Sequence, residues 1–197
     1  MAAPLPWAAM PAAYAAVVDP DTMGLFFALL AVLAAAGTLA VVAAAVAARL
    51  SPAAARWWAG TRPEVARSAL PLAFAVALVA TLGSLYFSEV AHFPPCRLCW
   101  FQRVAMYPLA LLLGVALVRR DAGVRPYGIA LAIAGLPVSV WHVLVERFPS
   151  LDTGSCDPTV PCTVRWVDVW GFVTLPLMAM VGFAAVATLL AVRPEER

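Results

Sequence analysis

The sequence predicts an all-α protein, a polytopic membrane helical bundle, and three observations carry this prediction. Of the 197 residues, 64% are hydrophobic and only 12% are charged. The mean hydropathy is +0.90, whereas a soluble domain of this size needs far more polar surface. The third observation is a series of apolar stretches, each near the ~20 residues that a helix needs to cross a bilayer. These stretches are 23–48, 69–90, 102–118, 127–145 and 170–192.

The first stretch, 23–48, is predicted to be a complete transmembrane helix. Residues 1–22 before it contain aspartates but no Lys or Arg, and the apolar run is too long for a signal peptide, so we do not expect cleavage. The segment 49–68 that follows is predicted to be a cytoplasmic linker. It is expected to hold a short interfacial helix around Trp57 and Trp58.

The second and third helices are separated by a proline pair. Pro94 and Pro95 stop any continuation of the second helix, and the third is predicted to begin near Cys96. The third apolar stretch is the shortest of the series. Trp100 and Tyr107 are therefore expected to anchor it at the membrane interface.

The fourth and fifth helices, 127–145 and 170–192, are joined by a loop rich in Gly and Pro. This loop, 146–169, is predicted to be irregular and mobile. One helical bundle then uses up the chain and leaves no room for a soluble domain.

The distribution of arginine predicts the orientation of the bundle in a cell membrane. All 13 basic residues are Arg, and nine of them lie on one side, in the short connections or after the last helix. Such a bias marks the cytoplasmic side, so we expect the N-terminus outside, the C-terminus inside and the other side to be extracytoplasmic. The formal net charge of +2 says little about partners; membrane lipid is expected among them and nucleic acid is not. The nine are Arg49, Arg56, Arg62, Arg67, Arg119, Arg120, Arg125, Arg193 and Arg197, and the other four are Arg97, Arg103, Arg147 and Arg165.

The four cysteines form two close pairs, both on the predicted outer side. Cys96 and Cys99 make a Cys-x-x-Cys motif, and five residues separate Cys156 from Cys162. Close pairs of this kind either pass electrons between disulfides or hold a metal. Because zinc needs thiolates and the exterior is oxidising, we expect no metal site.

The Cys-x-x-Cys pair lies at the predicted start of a helix. Side chains three residues apart on a helical turn are about 5–6 Å apart, within reach of disulfide geometry. The positive end of the helix dipole favours a thiolate there, and Arg103 lies one turn after Cys99. Cys99 is therefore predicted to be the more acidic thiol.

The loop pair is expected to differ in kind. A disulfide between Cys156 and Cys162 in a Gly- and Pro-rich loop is predicted to be exposed, and exposed disulfides tend to be labile. Such a disulfide can accept electrons from a soluble dithiol protein, and the pair at the membrane surface can pass them inward.

Several motifs resemble the disulfide bond formation protein family (DsbB), and its short-loop BdbC branch in particular. They lie between residues 70 and 190 and are specific in combination. The motifs are Ser84-Leu-Tyr-Phe-Ser-Glu-Val90, Pro95-Cys-Arg-Leu-Cys-Trp-Phe-Gln-Arg103, Met106-Tyr-Pro108, Ser155-Cys156 to Pro161-Cys162, and Trp170-Gly-Phe-Val-Thr-Leu-Pro176.

The resemblance implies a four-helix core and one extra N-terminal transmembrane helix, because 23–48 has no counterpart in the family. Residues 1–68 are then an N-terminal extension that contains this helix and the cytoplasmic linker. Residues 69–192 are the DsbB-like four-helix thiol:quinone oxidoreductase domain.

The resemblance also implies a redox route. Members reoxidise an extracytoplasmic DsbA-like, thioredoxin-fold oxidoreductase and pass its electrons to a membrane quinone, here ubiquinone or menaquinone. Cys156 and Cys162 match the partner-facing pair, and Cys96 and Cys99 match the quinone-facing pair. Two further residues match quinone-binding positions, Arg103 and His142, although His142 could instead be an interfacial histidine that faces lipid headgroups.

Two other functions stay open at this point. A vitamin K epoxide reductase-like quinone reductase also has two cysteine pairs in a helical bundle, but its loop pair precedes its Cys-x-x-Cys, and here the order is reversed. A membrane scaffold with two structural disulfides would show no redox exchange.

Overall fold

The computed structural model describes residues 19–152, 154 and 156–193. Its helices are α1 (Pro20–Leu50), α2 (Pro52–Leu85), α3 (Arg97–Arg119), α4 (Arg125–Arg147) and α5 (Leu175–Ala191). Within the described residues, four helical segments are long and apolar enough to cross a membrane, and α5 is a shorter apolar helix of 17 residues. The prediction of an all-α polytopic bundle is confirmed. Ser155 and Arg197, named above, lie outside the described residues.

The segment 49–68, predicted to be a linker with a short helix, is helical throughout except at Ser51. Ser51 alone separates α1 from α2, which begins at Pro52 and runs without a break through this segment. Proline is favoured in the first turn of a helix, and the alanines and arginines that follow are strong helix formers. Trp57 and Trp58 therefore belong to α2, and the boundary predicted at residue 68 falls inside a continuous helix.

A small hairpin delays the start of α5. β1 (Asp168–Val169) pairs antiparallel with β2 (Val173–Thr174). Trp170 and Gly171 between them have positive φ angles of 55° and 73°, which a helix does not allow. The last helix therefore begins at Leu175 instead of residue 170.

The core lies between α2, α3, α4 and α5. Ala73 and Ala77 of α2 face Met106 and Leu109 of α3, and Phe183 of α5 is fully buried among them. α1 packs on the outside of this core against α2 and α5, and most of its surface is exposed. Because consecutive helices alternate in direction, α1, α3 and α5 begin at the end of the bundle where α2 and α4 finish.

That end holds all the cysteines, and it is called the cysteine end below. The opposite end is tied together by Arg125, whose guanidinium donates hydrogen bonds to carbonyl oxygens of Ala66, Leu190 and Val192. These contacts satisfy carbonyls at the end of α5, which have no partner within the helix.

Candidate functional site: two cysteine pairs beside an apolar cavity

The Cys-x-x-Cys pair caps helix α3. Pro94 and Pro95 are not helical, so Cys96 becomes the N-cap residue, with φ −70° and ψ 172°. Its Sγ accepts a hydrogen bond from the backbone N–H of Cys99 at 3.3 Å. The two Sγ atoms lie 3.0 Å apart, and both cysteines are free thiols. The prediction that α3 begins near Cys96 is confirmed.

The groups that stabilise a thiolate converge on Cys96. The pKa of this thiol lies far below its ordinary value, chiefly because of the hydrogen bond with the Cys99 thiol. Burial opposes the shift, while a hydrogen bond and positive charge from His142, whose Nε2 lies 3.6 Å from Cys96 Sγ, add to it. The prediction that Cys99 is the more acidic thiol is therefore wrong, because the N-cap position belongs to Cys96.

The loop disulfide joins Cys156 and Cys162 and is buried against the bundle. The two residues are only 8% and 1% exposed, so the predicted exposure of this disulfide is wrong. The sulfurs pack with Leu98 and Val145 in an apolar cluster, which removes them from water. Cys156 is the more accessible of the two.

The loop between these cysteines is a compact turn. Asp157 accepts hydrogen bonds from the backbone N–H and the hydroxyl of Thr159, at 2.8 and 2.7 Å. These bonds hold the pKa of the Asp157 carboxyl below its ordinary value. An isolated bridge between Asp157 and Val160 closes the turn.

The two cysteine pairs meet at one point. The Sγ atoms of Cys96 and Cys162 and a ring nitrogen of His142 all lie within 4.8 Å of one another. A structural zinc site needs four ligands, and here the Cys162 sulfur is already bonded to Cys156. What this arrangement offers is a sulfur of one pair beside a sulfur of the other, as thiol–disulfide exchange requires.

His142 lies on the loop side of the Cys-x-x-Cys pair. It is 3% exposed, and its Nε2 is 3.3 Å from the carbonyl oxygen of Cys162. Its Nδ1 is 3.3 Å from Nε2 of Gln102. The sequence paired His142 with Arg103 as quinone-binding residues, but the structure separates them, since only Arg103 lines the large cavity described below.

Glu146 was missed by the sequence analysis as a site residue. It lies one turn after His142 on α4, is 4% exposed and accepts a hydrogen bond from the Thr174 hydroxyl at 2.6 Å. With Cys96, Cys99 and His142 it lines a cavity of about 20 Å³, room for a single water. The available signal was an acidic residue four positions after a histidine at the end of an apolar helix.

Arg103 is held between α3 and the end of α2. Its Nε donates to the Ser84 hydroxyl at 2.9 Å, and one terminal nitrogen donates to the Ser84 carbonyl at 3.0 Å. The guanidinium also lies 5.1 Å from the ring centre of Trp100 and 5.9 Å from that of Tyr107. Ser84, which opens one of the quoted motifs, positions this arginine and was not predicted to do so.

A cavity of about 810 Å³ opens on the other side of Cys99. Ser84, Gln102, Arg103 and Tyr107 make its lining polar beside Cys99, and farther along the lining is mainly aliphatic. Stacked aromatic rings border the polar part of the cavity. The ring centre of Phe93 lies 5.9 Å from that of Phe87 and 5.0 Å from that of Trp166. Trp100 and Phe101, by contrast, are half-exposed on the outer surface and do not line the cavity.

Known proteins resemble the part of the chain that holds these residues. A family model for the disulfide bond formation protein DsbB matches residues 66–193, more than half of the chain. The chain is 39% identical over 128 residues to the probable disulfide formation protein C 2 of Bacillus anthracis, covering 65% of this chain and 91% of that relative. It is 40% identical over 123 residues to the disulfide bond formation protein C of Bacillus subtilis, covering 62% and 89%. No solved structure matches the chain.

Proposed function

The chain belongs to the family of the disulfide bond formation protein DsbB, and from this premise we propose that it is a thiol:quinone oxidoreductase. It is a multi-pass membrane protein with protein-disulfide oxidoreductase activity, and its role is disulfide bond formation. We propose that the thiol substrate is a DsbA-like, thioredoxin-fold oxidoreductase outside the cytoplasm. The electron acceptor is a membrane quinone, either ubiquinone or menaquinone.

One observation carries this proposal: the Cys-x-x-Cys pair stands between the loop disulfide and the apolar cavity. Cys96 lies within 4.8 Å of the Cys162 sulfur, and Cys99 lines the cavity on the other side. To pass electrons from the loop disulfide to a quinone, the Cys-x-x-Cys pair must contact the loop disulfide on one side and the quinone site on the other. A scaffold with two structural disulfides does not account for a cavity that begins at a cysteine.

The exchange steps follow from which sulfurs are neighbours. A thiolate of the donor protein attacks Cys156, the more accessible loop sulfur, which breaks the loop disulfide and releases the Cys162 thiolate. The second donor thiol then displaces Cys156, so the donor leaves as a disulfide and the loop pair is a dithiol. The Cys162 thiolate next attacks Cys96 of the oxidised helix pair and releases Cys99. Cys156 then attacks Cys162, which restores the loop disulfide and leaves Cys96 and Cys99 reduced.

The large cavity fits a quinone. Its polar part offers the donors of Arg103, Gln102 and Tyr107, which suit carbonyl oxygens, and its apolar part suits a hydrocarbon chain. A quinone held there would supply the oxidant, and the Cys96–Cys99 dithiol would give up two electrons and two protons to it as the disulfide between them forms. Arg103, fixed by Ser84, keeps a positive charge at this end of the cavity.

The residues on the loop side prepare Cys96 for exchange. His142 and the Cys99 N–H stabilise the Cys96 thiolate, so Cys96 is a good leaving group when Cys156 resolves the Cys96–Cys162 mixed disulfide. His142 and Glu146 border the same small cavity and are in place to accept the thiol proton. We therefore assign His142 to the thiol chemistry and Arg103 to the quinone.

A trapped mixed disulfide tests the proposal. When a Cys162→Ser variant is mixed with the oxidised donor, the Cys156 thiolate should attack the donor disulfide and form a mixed disulfide, which releases one donor thiolate, and no neighbouring loop thiol is left to displace the donor. Non-reducing electrophoresis and mass spectrometry of the purified complex identify the adduct. The matched control is the Cys156→Ser, Cys162→Ser double variant, which should trap nothing. Equal trapping by the two variants would show that the donor does not exchange disulfides with the loop pair.

A further inference from the structure

We propose that α1, the helix outside the family match, forms one wall of a groove that holds the polyprenyl tail of the quinone. This inference rests on the proposed function, since it concerns the same cavity. It assigns a ligand site to a helix for which the family resemblance offers no role, because the family model begins at residue 66 and α1 ends at Leu50.

One face of α1 lines the cavity. Its residues there recur every three or four positions, the spacing of a single helical face. They face α2 and α5 across the cavity, at Leu72 and Val76 of α2 and at Met178 and Gly182 of α5. The lining residues of α1 include Phe27, Leu30, Ala34, Gly37, Thr38 and Val41.

α1 is most deeply buried near the cysteine end. Gly24 and Ala28 are its only buried residues among those described. The ring of Phe27 packs against Gly83, where an added Cβ would lie 3.0 Å from it. Ten residues farther along, a Cβ added at Gly37 would meet no heavy atom within 4 Å. α1 is thus packed against the bundle near the cysteine end and joined to α2 through Ser51 at its other end, and open space lies beside it at Gly37 between the two.

The resulting groove has the length and polarity of a tailed quinone. Along α2 it runs from Ser84 beside Arg103 to Glu64 at the far end, twenty residues or about 30 Å at the ~1.5 Å rise of an α-helix. A quinone ring near Cys99 occupies only the polar end, so the aliphatic remainder needs a hydrocarbon chain attached to that ring. A free lipid chain carries no group that would bind beside Cys99 and Arg103. We therefore assign the groove to the polyprenyl tail of the quinone.

Equilibrium binding to the full-length purified chain tests this assignment. The probes are a menaquinone with a long polyprenyl tail and menadione, which has the same ring without a tail. Ala34→Trp fills the groove from α1 and should weaken binding of the tailed quinone by about tenfold or more, since ~1.4 kcal/mol of lost contact is enough. Its affinity for menadione should stay at the wild-type value, which also shows that the variant is folded.

Ala36→Trp is the matched control, because Ala36 is exposed on the opposite face of α1 and does not line the cavity. It should leave both affinities unchanged. Val41→Trp, on the lining face, replaces Ala34→Trp if the latter fails to fold. Unchanged binding of the tailed quinone, or equal weakening for both probes, overturns the tail assignment. Failure of the wild-type chain to bind either probe overturns the proposed quinone-dependent function instead.

Discussion

At the scale of single residues, the site is asymmetric about the Cys-x-x-Cys motif. Cys96 faces His142 and the loop disulfide, whereas Cys99 faces Arg103 and the large cavity. Two neighbouring thiols in one motif therefore have different surroundings and different proposed partners. The asymmetry arises because one sulfur caps the helix and the other lies in its first turn.

The acidity of Cys96 is the first prediction at this scale. In a background with serine at both loop positions and Cys99→Ser, Cys96 is the one titrating thiol, and the hydroxyl introduced at position 99 can replace the Cys99 thiol as its hydrogen-bond donor. Because its pKa is lowered, the thiolate should persist below neutral pH and disappear only as the pH falls through that pKa. The added change His142→Ala should move the midpoint upward, since it removes a hydrogen bond and a charge that favour the anion. Ultraviolet thiolate absorbance measures both midpoints.

A midpoint near the ordinary thiol value of ~8.5 in the parent background would contradict this assignment. The control variant keeps Cys99 and carries Cys96→Ser. Its thiol lacks the N-cap position, so it should not share the acid midpoint.

Arg103 supplies the second prediction. Arg103→Met should raise the KM for quinone on the order of tenfold, as expected when a charged hydrogen-bond donor is lost. Arg103→Lys should recover part of this loss, since the charge survives but the planar fork that reaches Ser84 does not. Arg119→Met, at the opposite end of α3, should behave as wild type. The assigned role fails if Arg103→Met turns over at the wild-type rate with limiting quinone.

At the scale of helices, the core depends on small residues opposite large ones. Gly135 of α4 lies directly against the Phe183 ring of α5, and Gly128 lies in the same way against Leu190. A side chain at either glycine would occupy space that the facing residue already fills. These glycines set how closely α4 and α5 approach each other.

Gly135→Ala should therefore destabilise the bundle, by about 1–3 kcal/mol for overpacking, offset in part by the ~1 kcal/mol that alanine contributes to a helix. Gly60→Ala is the matched control, because a Cβ at this α2 position meets nothing within 4 Å. It should be neutral or stabilising. Thermal unfolding in detergent compares the two, and a Gly135→Ala variant as stable as Gly60→Ala would refute the packing argument.

The helices were predictable from the sequence because hydrophobic length and the Pro94–Pro95 break are local signals. The positions of α1, α3 and α4 agree with prediction within a few residues. The start of α2 was missed because a polar helical segment and a linker look alike in composition. The burial of the loop disulfide was missed because it depends on Val145 and Leu98, which are close in space but distant in sequence.

At the scale of the whole molecule, the arginine bias predicts which end of the bundle faces outward. The cysteine end should be extracytoplasmic and the end held by Arg125 cytoplasmic. In a background without native cysteines, Ser150→Cys should react with a membrane-impermeant thiol reagent in intact cells. Gly60→Cys should react only after the cells are opened. Both positions are exposed, so accessibility differs only through the membrane, and the reverse labelling pattern would overturn the orientation.

The last prediction concerns the relay as a whole. Because Cys96 and Cys162 are neighbours while Cys99 borders the cavity, the two cysteine pairs should act in series. Cys96→Ser and Cys99→Ser should each still accept one pair of electrons from the donor at the loop disulfide, yet reduce no quinone. The Cys156→Ser, Cys162→Ser variant should fail to oxidise its donor, although its Cys96–Cys99 pair remains intact. Single-turnover experiments that follow donor oxidation and quinone reduction together distinguish these cases. Full-rate donor oxidation by the loop double variant would mean that donor electrons reach the helix pair directly, and the proposed order would have to be abandoned.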